Sequence, residues 1–433
     1  MNQEQSLDVT TVSVVGLGKI GLTLAAVFSN RGFRVIGIDI NENVVQTVNQ
    51  GKSHIMKEPG LDYLVYHAHK QKTLTATTNT KKAVGESDII VVIVPVLLDE
   101  HNLIDYQWID LAVENIAKGL QKGSLIIFET TLPPGDTRNR FGKKIEEISG
   151  LKMGKDFDLA YSPERVYSNR IIQDLKEYPK VVGGLNEASL KRAIEFYKKA
   201  LQCDIIPVSS LETAEFSKVA ECVYRDVNIA LANELAIFAE KTGVSITEVI
   251  QASNSQPFSH LHSPGIGVGG HCIPIYPYFF ICKGIAPGIT TLSRQINDGM
   301  ATFALKKLEN KLGSLKNKQV LILGLSYREN VKETTKSTAL AIIDLLQQAE
   351  AKVYVHDPFF TDNEIKDFNV LPFSFQEKLM GNIDAIILQA YHDEYKTLDL
   401  QPFSRCQAVL DGRNRLDRQA VEALGMEYIG IGG

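Results

Sequence analysis

No apolar run in this 433-residue chain is long enough to span a bilayer. Its opening stretch, Met1 to Thr10, is polar and acidic and has no basic segment leading into an apolar core. A secretion signal is therefore not expected. Cysteine is scarce: Cys203, Cys222, Cys272, Cys282 and Cys406 are odd in number and irregular in spacing, with no pair two residues apart. That pattern argues against a disulfide framework and a structural zinc site and fits a reducing cytoplasm. An excess of charge is missing too. With 46 basic against 51 acidic residues the net charge is -5, so neither nucleic acid nor an anionic membrane is an expected partner. Any anionic ligand must be held by local groups. Low-complexity segments and short-period repeats are also absent.

What remains is the composition of a globular protein, 44% hydrophobic and 22% charged, in a chain long enough for two or three domains. Strand-like apolar runs occur at Val12–Val15, Arg34–Asp39, Ile89–Pro95, Leu125–Glu129, Leu159–Tyr161 and Ile205–Val208, with helical patterns between them. Several are apolar throughout, as in strands covered on both faces. The alternation predicts a doubly wound α/β domain over residues 8–208. A helical pattern from Leu211 to Thr242 follows, with no Pro or Gly before Gly243, giving a helix roughly 45–50 Å long. Phe216, Val219, Val223, Val227, Ala230, Leu231, Glu234, Leu235 and Phe238 mark one buried stripe on it. Such a helix bridges domains or forms a subunit interface, and a homodimer is expected. Lys307–Lys318 reads as a lysine-rich linker. Strands Gln319–Leu323, Val353–His356, Ala385–Leu388 and Ala408–Leu410 and a helix at Thr338–Gln348 then predict a second, smaller α/β domain.

Three groups of residues carry the chemistry. Gly16-Leu17-Gly18-Lys19-Ile20-Gly21 follows the first strand and opens a helix. Its glycines would allow a tight turn, backbone approach to a pyrophosphate and close helix packing, with the helix N-terminus facing the phosphates. Asp39 ends the next strand about 23 residues on, where a carboxylate binds ribose hydroxyls and repels a ribose phosphate, favouring NAD over NADP. In the second domain Gly324-Leu325-Ser326-Tyr327 is an incomplete fingerprint, better suited to a mononucleotide or nucleotide-sugar phosphate. Arg328, Lys336 and Arg413 could supply its positive charge. Between the two domains lies Gly265-Ile266-Gly267-Val268-Gly269-Gly270-His271-Cys272, a glycine-rich approach to a thiol that suits a nucleophile. His260, His262 and His271 have no acidic residue near them in sequence, and no metal site is expected.

These motifs, with Thr130-Thr131-Leu132-Pro133, Ser162-Pro163-Glu164-Arg165, the helix from Thr213 to Ala236 and Asp411-Gly412-Arg413-Asn414, resemble the UDP-glucose/GDP-mannose dehydrogenase family over nearly the whole chain. Gly-Val-Gly-Gly-His-Cys and Tyr224-Arg225-Asp226-Val227-Asn228 are most similar to the branch that oxidises UDP-N-acetylhexosamines. The resemblance implies two Rossmann-like doubly wound parallel-sheet domains joined by a long central helix. It divides the chain into an NAD-binding domain (1–208), a central helical dimerisation and catalytic region (209–315) and a UDP-sugar-binding domain (316–433). It also implies two hydride transfers to NAD, with the sugar passing through a thiohemiacetal and a thioester on Cys272. Lys218 matches the lysine that stabilises the oxyanion, Thr131 the threonine that holds water, and Glu164 the glutamate proposed as base or aid to that water. Gly16, Gly18, Lys19, Ile20, Gly21, Asp39, Thr131 and Lys336 are the implied cofactor contacts. Glu164, Arg165, Val166, Lys218, Cys222, Arg225, His262, Gly269, Tyr327, Arg328 and Arg413 are the implied substrate contacts.

Three departures from the family pattern bear on mechanism. Tyr276 stands where an aspartate assisting water is usual, and a phenol of pKa ~10 is a poor base at neutral pH. Cys222 replaces an asparagine, and Thr335, beside Lys336, replaces an arginine that touches cofactor phosphates. The expected activity is oxidation of UDP-N-acetylmannosamine or UDP-N-acetylglucosamine to the uronate, for surface polysaccharide. UDP-glucose oxidation and weak nucleotide-sugar binding are the alternatives.

Overall fold

The computed structural model describes residues 9–284 and 288–433. They divide into two compact units, one running to Glu221 with Tyr278–Lys283 added, the other comprising Cys222–Pro277 and the chain from Gly284 onward. The first unit contains β1 (Thr11–Val15), β2 (Arg34–Ile38), β3 (Leu74–Thr77), β4 (Ile89–Val92), a small hairpin of β5 (Leu97–Leu98) and β6 (Ile104–Asp105), then β7 (Leu125–Phe128), β8 (Asp158–Tyr161), β9 (Lys180–Gly184) and β10 (Ile205–Val208). Eight of these form one sheet in the order β10-β9-β8-β7-β4-β1-β2-β3. The order reverses between β1 and β4, the switch point at which doubly wound sheets bind nucleotides. All its pairings are parallel except β8 with β9. Strands β1, β4 and β7 are buried at every position, which is why they read as unbroken apolar runs. At the sheet edge β10 is only partly covered, and Ile206 is 45% exposed. β3 and β9 were not evident in the sequence: Leu-Thr-Ala-Thr and Lys-Val-Val-Gly-Gly carry weak apolar signals.

The second unit contains β11 (Gln319–Leu323), β12 (Lys352–His356), β13 (Leu371–Pro372), β14 (Ala385–Leu388), β15 (Ala408–Asp411) and β16 (Glu427–Ile429). They form an all-parallel sheet in the order β13-β12-β11-β14-β15-β16, with its switch point between β11 and β14.

The long helix spans Leu211–Thr242. Ser210 Oγ accepts the Thr213 N–H at its start. Gly243, at φ 71°, ends it, because a left-handed residue there suits glycine. The single buried stripe needs correction. Val219 and Ala230 are buried, but Phe216, Leu231 and Phe238 are 46%, 41% and 63% exposed. The helix is apolar on more than one face. The expected linker at Lys307–Lys318 also needs correction, because its first half is the end of a 24-residue helix, Ile289–Leu312, with Leu308 fully buried.

Candidate active site

In the first unit the three fingerprint glycines differ in their surroundings. Gly16 turns the chain at φ 95°, and a Cβ there would lie 2.9 Å from the Ile93 carbonyl oxygen. A Cβ on Gly21 would lie 1.8 Å from the Gly16 oxygen, so only glycine lets the helix Lys19–Asn30 pack this closely on its own strand turn. A Cβ on Gly18 would meet nothing within 4 Å. Gly18 is the N-cap of that helix and gives it no side-chain cap, and the first turn has no acidic residue. This leaves an open, positively polarised helix start suited to a pyrophosphate. Lys19 and Ile20 open the helix, and Lys19 Nζ lies 3.4 Å from Ser168 Oγ. Asp39, partly exposed, accepts the Leu17 N–H through Oδ2 and the Asn41 N–H through Oδ1, both at 2.9 Å. Acceptor capacity therefore remains for ribose hydroxyls. His54 lies near it; burial lowers its pKa, with Asp39 acting in the opposite sense. These residues fit NAD.

The matching carboxylate of the second unit, Asp357, is committed elsewhere. Its Oδ2 accepts from the Leu325 and Ser326 N–H groups, the Ser326 hydroxyl and the His392 Nε2, and its side chain is fully buried. No ribose can reach it, so the second sheet repeats the nucleotide fold without the ribose-binding carboxylate.

After β7 the chain passes Glu129 and enters the loop that carries Thr131, which is 6% exposed. The far end of that loop is pinned by Glu215 of the long helix, whose two oxygens accept the Gly135 and Thr137 N–H groups at 2.5 and 2.8 Å. Burial raises the Glu215 pKa to about 7, against the pull of those hydrogen bonds. Three residues further along the same helix is Lys218, 9% exposed. Its charge acts on Glu164. Glu164 Oε1 accepts the Arg165 and Val166 N–H groups at 2.6 and 3.0 Å, and Oε2 accepts Lys180 Nζ at 3.2 Å. Burial opposes its ionisation, but Lys180, the Arg165 N–H and Lys218 together hold its pKa below the usual carboxylate value. Arg165 pairs with Glu221 at 2.9 Å. The first unit thus brings Glu164, Arg165, Val166 and Lys218 together. Lys180 and Glu129 join them: Glu129 closes a run that reads as a strand, whereas Lys180 opens β9, which carries no such signal.

In the second unit the glycine loop lies against the 324–338 segment. A Cβ on Gly269 would stand 2.7 Å from both Tyr327 Cβ and the Lys336 carbonyl oxygen, and one on Gly270 would stand 2.8 Å from the Tyr327 ring. Gly270, at φ 99°, donates its N–H to the Thr335 oxygen at 2.8 Å. His271 Nε2 lies against a Glu333 carboxylate oxygen, an acidic neighbour distant in sequence. Cys272 follows, partly exposed, and its carbonyl accepts the Tyr276 N–H at 2.9 Å. The loop begins on the long helix, where Asn233 Oδ1 accepts the Gly265 N–H at 2.9 Å. Asn233 is held in turn by Asn297, and Asn297 by Asp226, which also binds Arg294 at 2.6 Å.

Arg413 is aimed by Asp411, which accepts the N–H groups of Arg413, Arg415 and Leu416. Its guanidinium donates to the Gln389 and Gly267 carbonyls, and among the described residues it forms no ion pair. A cation held by carbonyls in this way is available to an anion. Arg328 Nε donates to the Tyr327 hydroxyl at 3.1 Å. Gly269, Tyr327, Arg413 and Cys272 thus gather in the second unit, while Lys336 is exposed at the edge of that segment. Burial lowers the His262 pKa, and Arg225 adds to the effect. Cys222 is buried. Among the described residues, no group of three or more His, Cys, Asp or Glu side chains is placed to hold a metal ion.

Models of the UDP-glucose/GDP-mannose dehydrogenase family match three stretches: the NAD binding domain at residues 10–201, the central domain at 212–298 and the UDP binding domain at 321–418. The UDP-N-acetyl-D-mannosamine dehydrogenase of Campylobacter jejuni is 36% identical over 391 residues, 88% of this chain and 92% of that protein. The NDP-N-acetyl-D-galactosaminuronic acid dehydrogenase of Ralstonia solanacearum is 32% identical over 430 residues, 95% of this chain and 98% of the relative. The solved structure of the UDP-N-acetyl-D-mannosamine dehydrogenase from Pyrococcus horikoshii superposes with a TM-score of 0.89 at 30% identity, covering 98% of this chain and 99% of that one. The chain belongs to the UDP-glucose/GDP-mannose dehydrogenase family and is an NAD-dependent oxidoreductase of nucleotide sugars.

Proposed function

We propose that the protein oxidises C-6 of a UDP-N-acetylhexosamine, the mannosamine or glucosamine epimer, to the carboxylate, supplying a uronic acid for surface polysaccharide. The observation that carries this reading is the placement of Cys272 at the end of a glycine loop packed on Tyr327 and Lys336, in the unit that also holds Arg413. The cofactor site would take two NAD molecules in turn, each supplying the chemistry to accept one hydride. Cys272 adds to the aldehyde left by the first transfer, forming a C–S bond, and the resulting thiohemiacetal loses the second hydride to become a thioester. Water then attacks the carbonyl carbon, the C–S bond breaks, the thiolate leaves and the uronate is released. Lys218 stabilises the developing oxyanion from a rigid helix. Thr131 holds the water, and Glu164 takes its proton. With Tyr276 in the usual aspartate position, that proton transfer falls to Glu164. Among the described residues Glu164 Oε2 accepts a hydrogen bond from Lys180 alone and keeps acceptor capacity for water.

Residues 1–208, 209–315 and 316–433 serve in this reading as the NAD-binding, central and UDP-sugar-binding regions. Five cysteines, odd in number and irregular in spacing, suit a reducing cytoplasm. Tyr224, Leu231 and Phe238 recur every seven residues on the long helix and are 56%, 41% and 63% exposed. That apolar face supports a homodimer.

The test is to incubate the protein with NAD and a panel of UDP-sugars and count NADH per sugar consumed. Two NADH per sugar with a uronate product is expected, along with loss of uronate formation and retained NAD binding in Cys272→Ala. A sugar bound without NADH formation, or unchanged turnover in Cys272→Ala, would falsify the reading.

A further inference from the structure

Lys180 opens β9 with its side chain 7% exposed, and it bridges two carboxylates. Nζ lies 2.6 Å from Glu129 Oε2 and 3.2 Å from Glu164 Oε2. The other Glu129 oxygen accepts the Tyr197 hydroxyl at 2.7 Å. The chain Tyr197–Glu129–Lys180–Glu164 is closed at one end, where Glu129 and Tyr197 are fully buried. It is most open at Glu164, whose side chain is 14% exposed. Burying an ammonium with a carboxylate gains little stability by itself, and apolar residues could fill the same space. A third group at the open end gives the buried pair a use.

We propose that Lys180, clamped by Glu129, is a positioning residue that keeps Glu164 a carboxylate and fixes the direction of its Oε2. The inference rests on the reading that Glu164 receives the proton of the attacking water. The groups facing Glu164 are few. Lys180 and Lys218 favour its charge, and Glu129 opposes it. Arg165 is engaged by Glu221, Asp174 by Arg170 and the Tyr167 N–H, and Tyr197 by Glu129. Cys203 lies near Lys180 with its thiol pKa raised by burial. Glu129 is 0% exposed, and burial raises its pKa while Lys180 opposes the rise. Removing it would leave Lys180 wholly to Glu164.

The two partners of the clamp therefore act on Glu164 in opposite senses, which a purely structural role does not produce. Lys180→Met should move the acid limb of the kcat/KM profile up by about one pH unit or more, the size expected for loss of an adjacent opposite charge. Glu129→Gln should move it down, and Lys180→Arg should restore the wild-type limb. Glu164→Gln should remove the limb, assigning it to that residue. Infrared titration of the carboxyl band, taken as the difference between wild type and Glu164→Gln in each background, reads the same shift without turnover. Circular dichroism and NAD binding check that each variant is folded. A limb and an infrared titration unmoved by Lys180→Met, or moved the same way by Lys180→Met and Glu129→Gln, would overturn the inference. A wild-type protein that produces no NADH from any UDP-sugar would instead sink the dehydrogenase reading, with the infrared shift still testing the clamp.

Discussion

Glycine at positions 18 and 21 does separable work, and the separation can be measured. A methyl group on Gly18 meets no protein atom within 4 Å, so Gly18→Ala should change stability by no more than about 1 kcal/mol. It should weaken NAD at least tenfold, because the new methyl occupies the pyrophosphate approach. Gly21→Ala forces a methyl onto the Gly16 backbone oxygen and should cost about 1–3 kcal/mol in urea unfolding. Equal stability losses in the two variants would contradict this division. Glu215 makes a second prediction at this scale. Burial raises its folded pKa to about 7 from the ordinary carboxylate value of 4.5. Between those values the folded protein keeps a proton that the unfolded chain releases, so this group's contribution to stability is full below pH 4.5 and is lost as pH rises through 7. Glu215→Gln does not titrate. Relative to that variant, wild type should gain on the order of 2 kcal/mol when urea unfolding is moved from pH 8 to pH 5. A constant difference would exclude the shift. Glu215, Glu129 and Lys180 were not legible as site residues, because sequence carries no mark of a charge buried by partners remote along the chain. Cys272 could be proposed from sequence alone, because its approach of four glycines is local.

Elements differed in legibility for similar reasons. Strands buried on both faces, such as β1 and β4, appear as unbroken apolar runs, and the long helix was bounded correctly because Ser210 and Gly243 punctuate it. The helix Ile289–Leu312 escaped notice because its first half buries Thr290, Ser293, Arg294 and Asn297, with Arg294 and Asn297 satisfied by Asp226 and Asn233 and the Ser293 hydroxyl by the Ile289 carbonyl. An apolar period cannot appear where the buried positions are polar. On the long helix the apolar period was visible, but it could not say which face the chain itself covers. Exposure of Tyr224, Leu231 and Phe238 at heptad spacing leaves an apolar strip that a second copy would bury. The double variant Leu231→Glu/Phe238→Glu should therefore run as a monomer in light scattering, with helicity unchanged since both sites are exposed in the protomer. A variant dimer as tight as wild type would place the interface elsewhere.

For the whole molecule, the chain carries one six-strand parallel order twice, extended by β9 and β10 in the first unit, and equips the two copies differently. Each sheet reverses direction beside its first strand, and each has a glycine at the following turn, Gly16 at φ 95° and Gly324 at φ 97°. The carboxylate after the second strand is the point of divergence, with Asp39 partly exposed and Asp357 enclosed by Leu325, Ser326 and His392. Charge diverges in the same way. Arg413 and Arg328 lie in the second copy, suited to a phosphate whose ribose is not read by an acid. Ligand protection should therefore be divided between the units. In hydrogen exchange, NAD alone should slow amides at Gly16–Gly21 and around Asp39, and UDP alone should slow those at 265–272, 324–328 and 411–414. Each ligand at 100 times its Kd should add about 2.7 kcal/mol to the unit it binds. Protection by NAD of the 324–328 turn in the absence of UDP would mean that Asp357 does not discriminate as its enclosure requires.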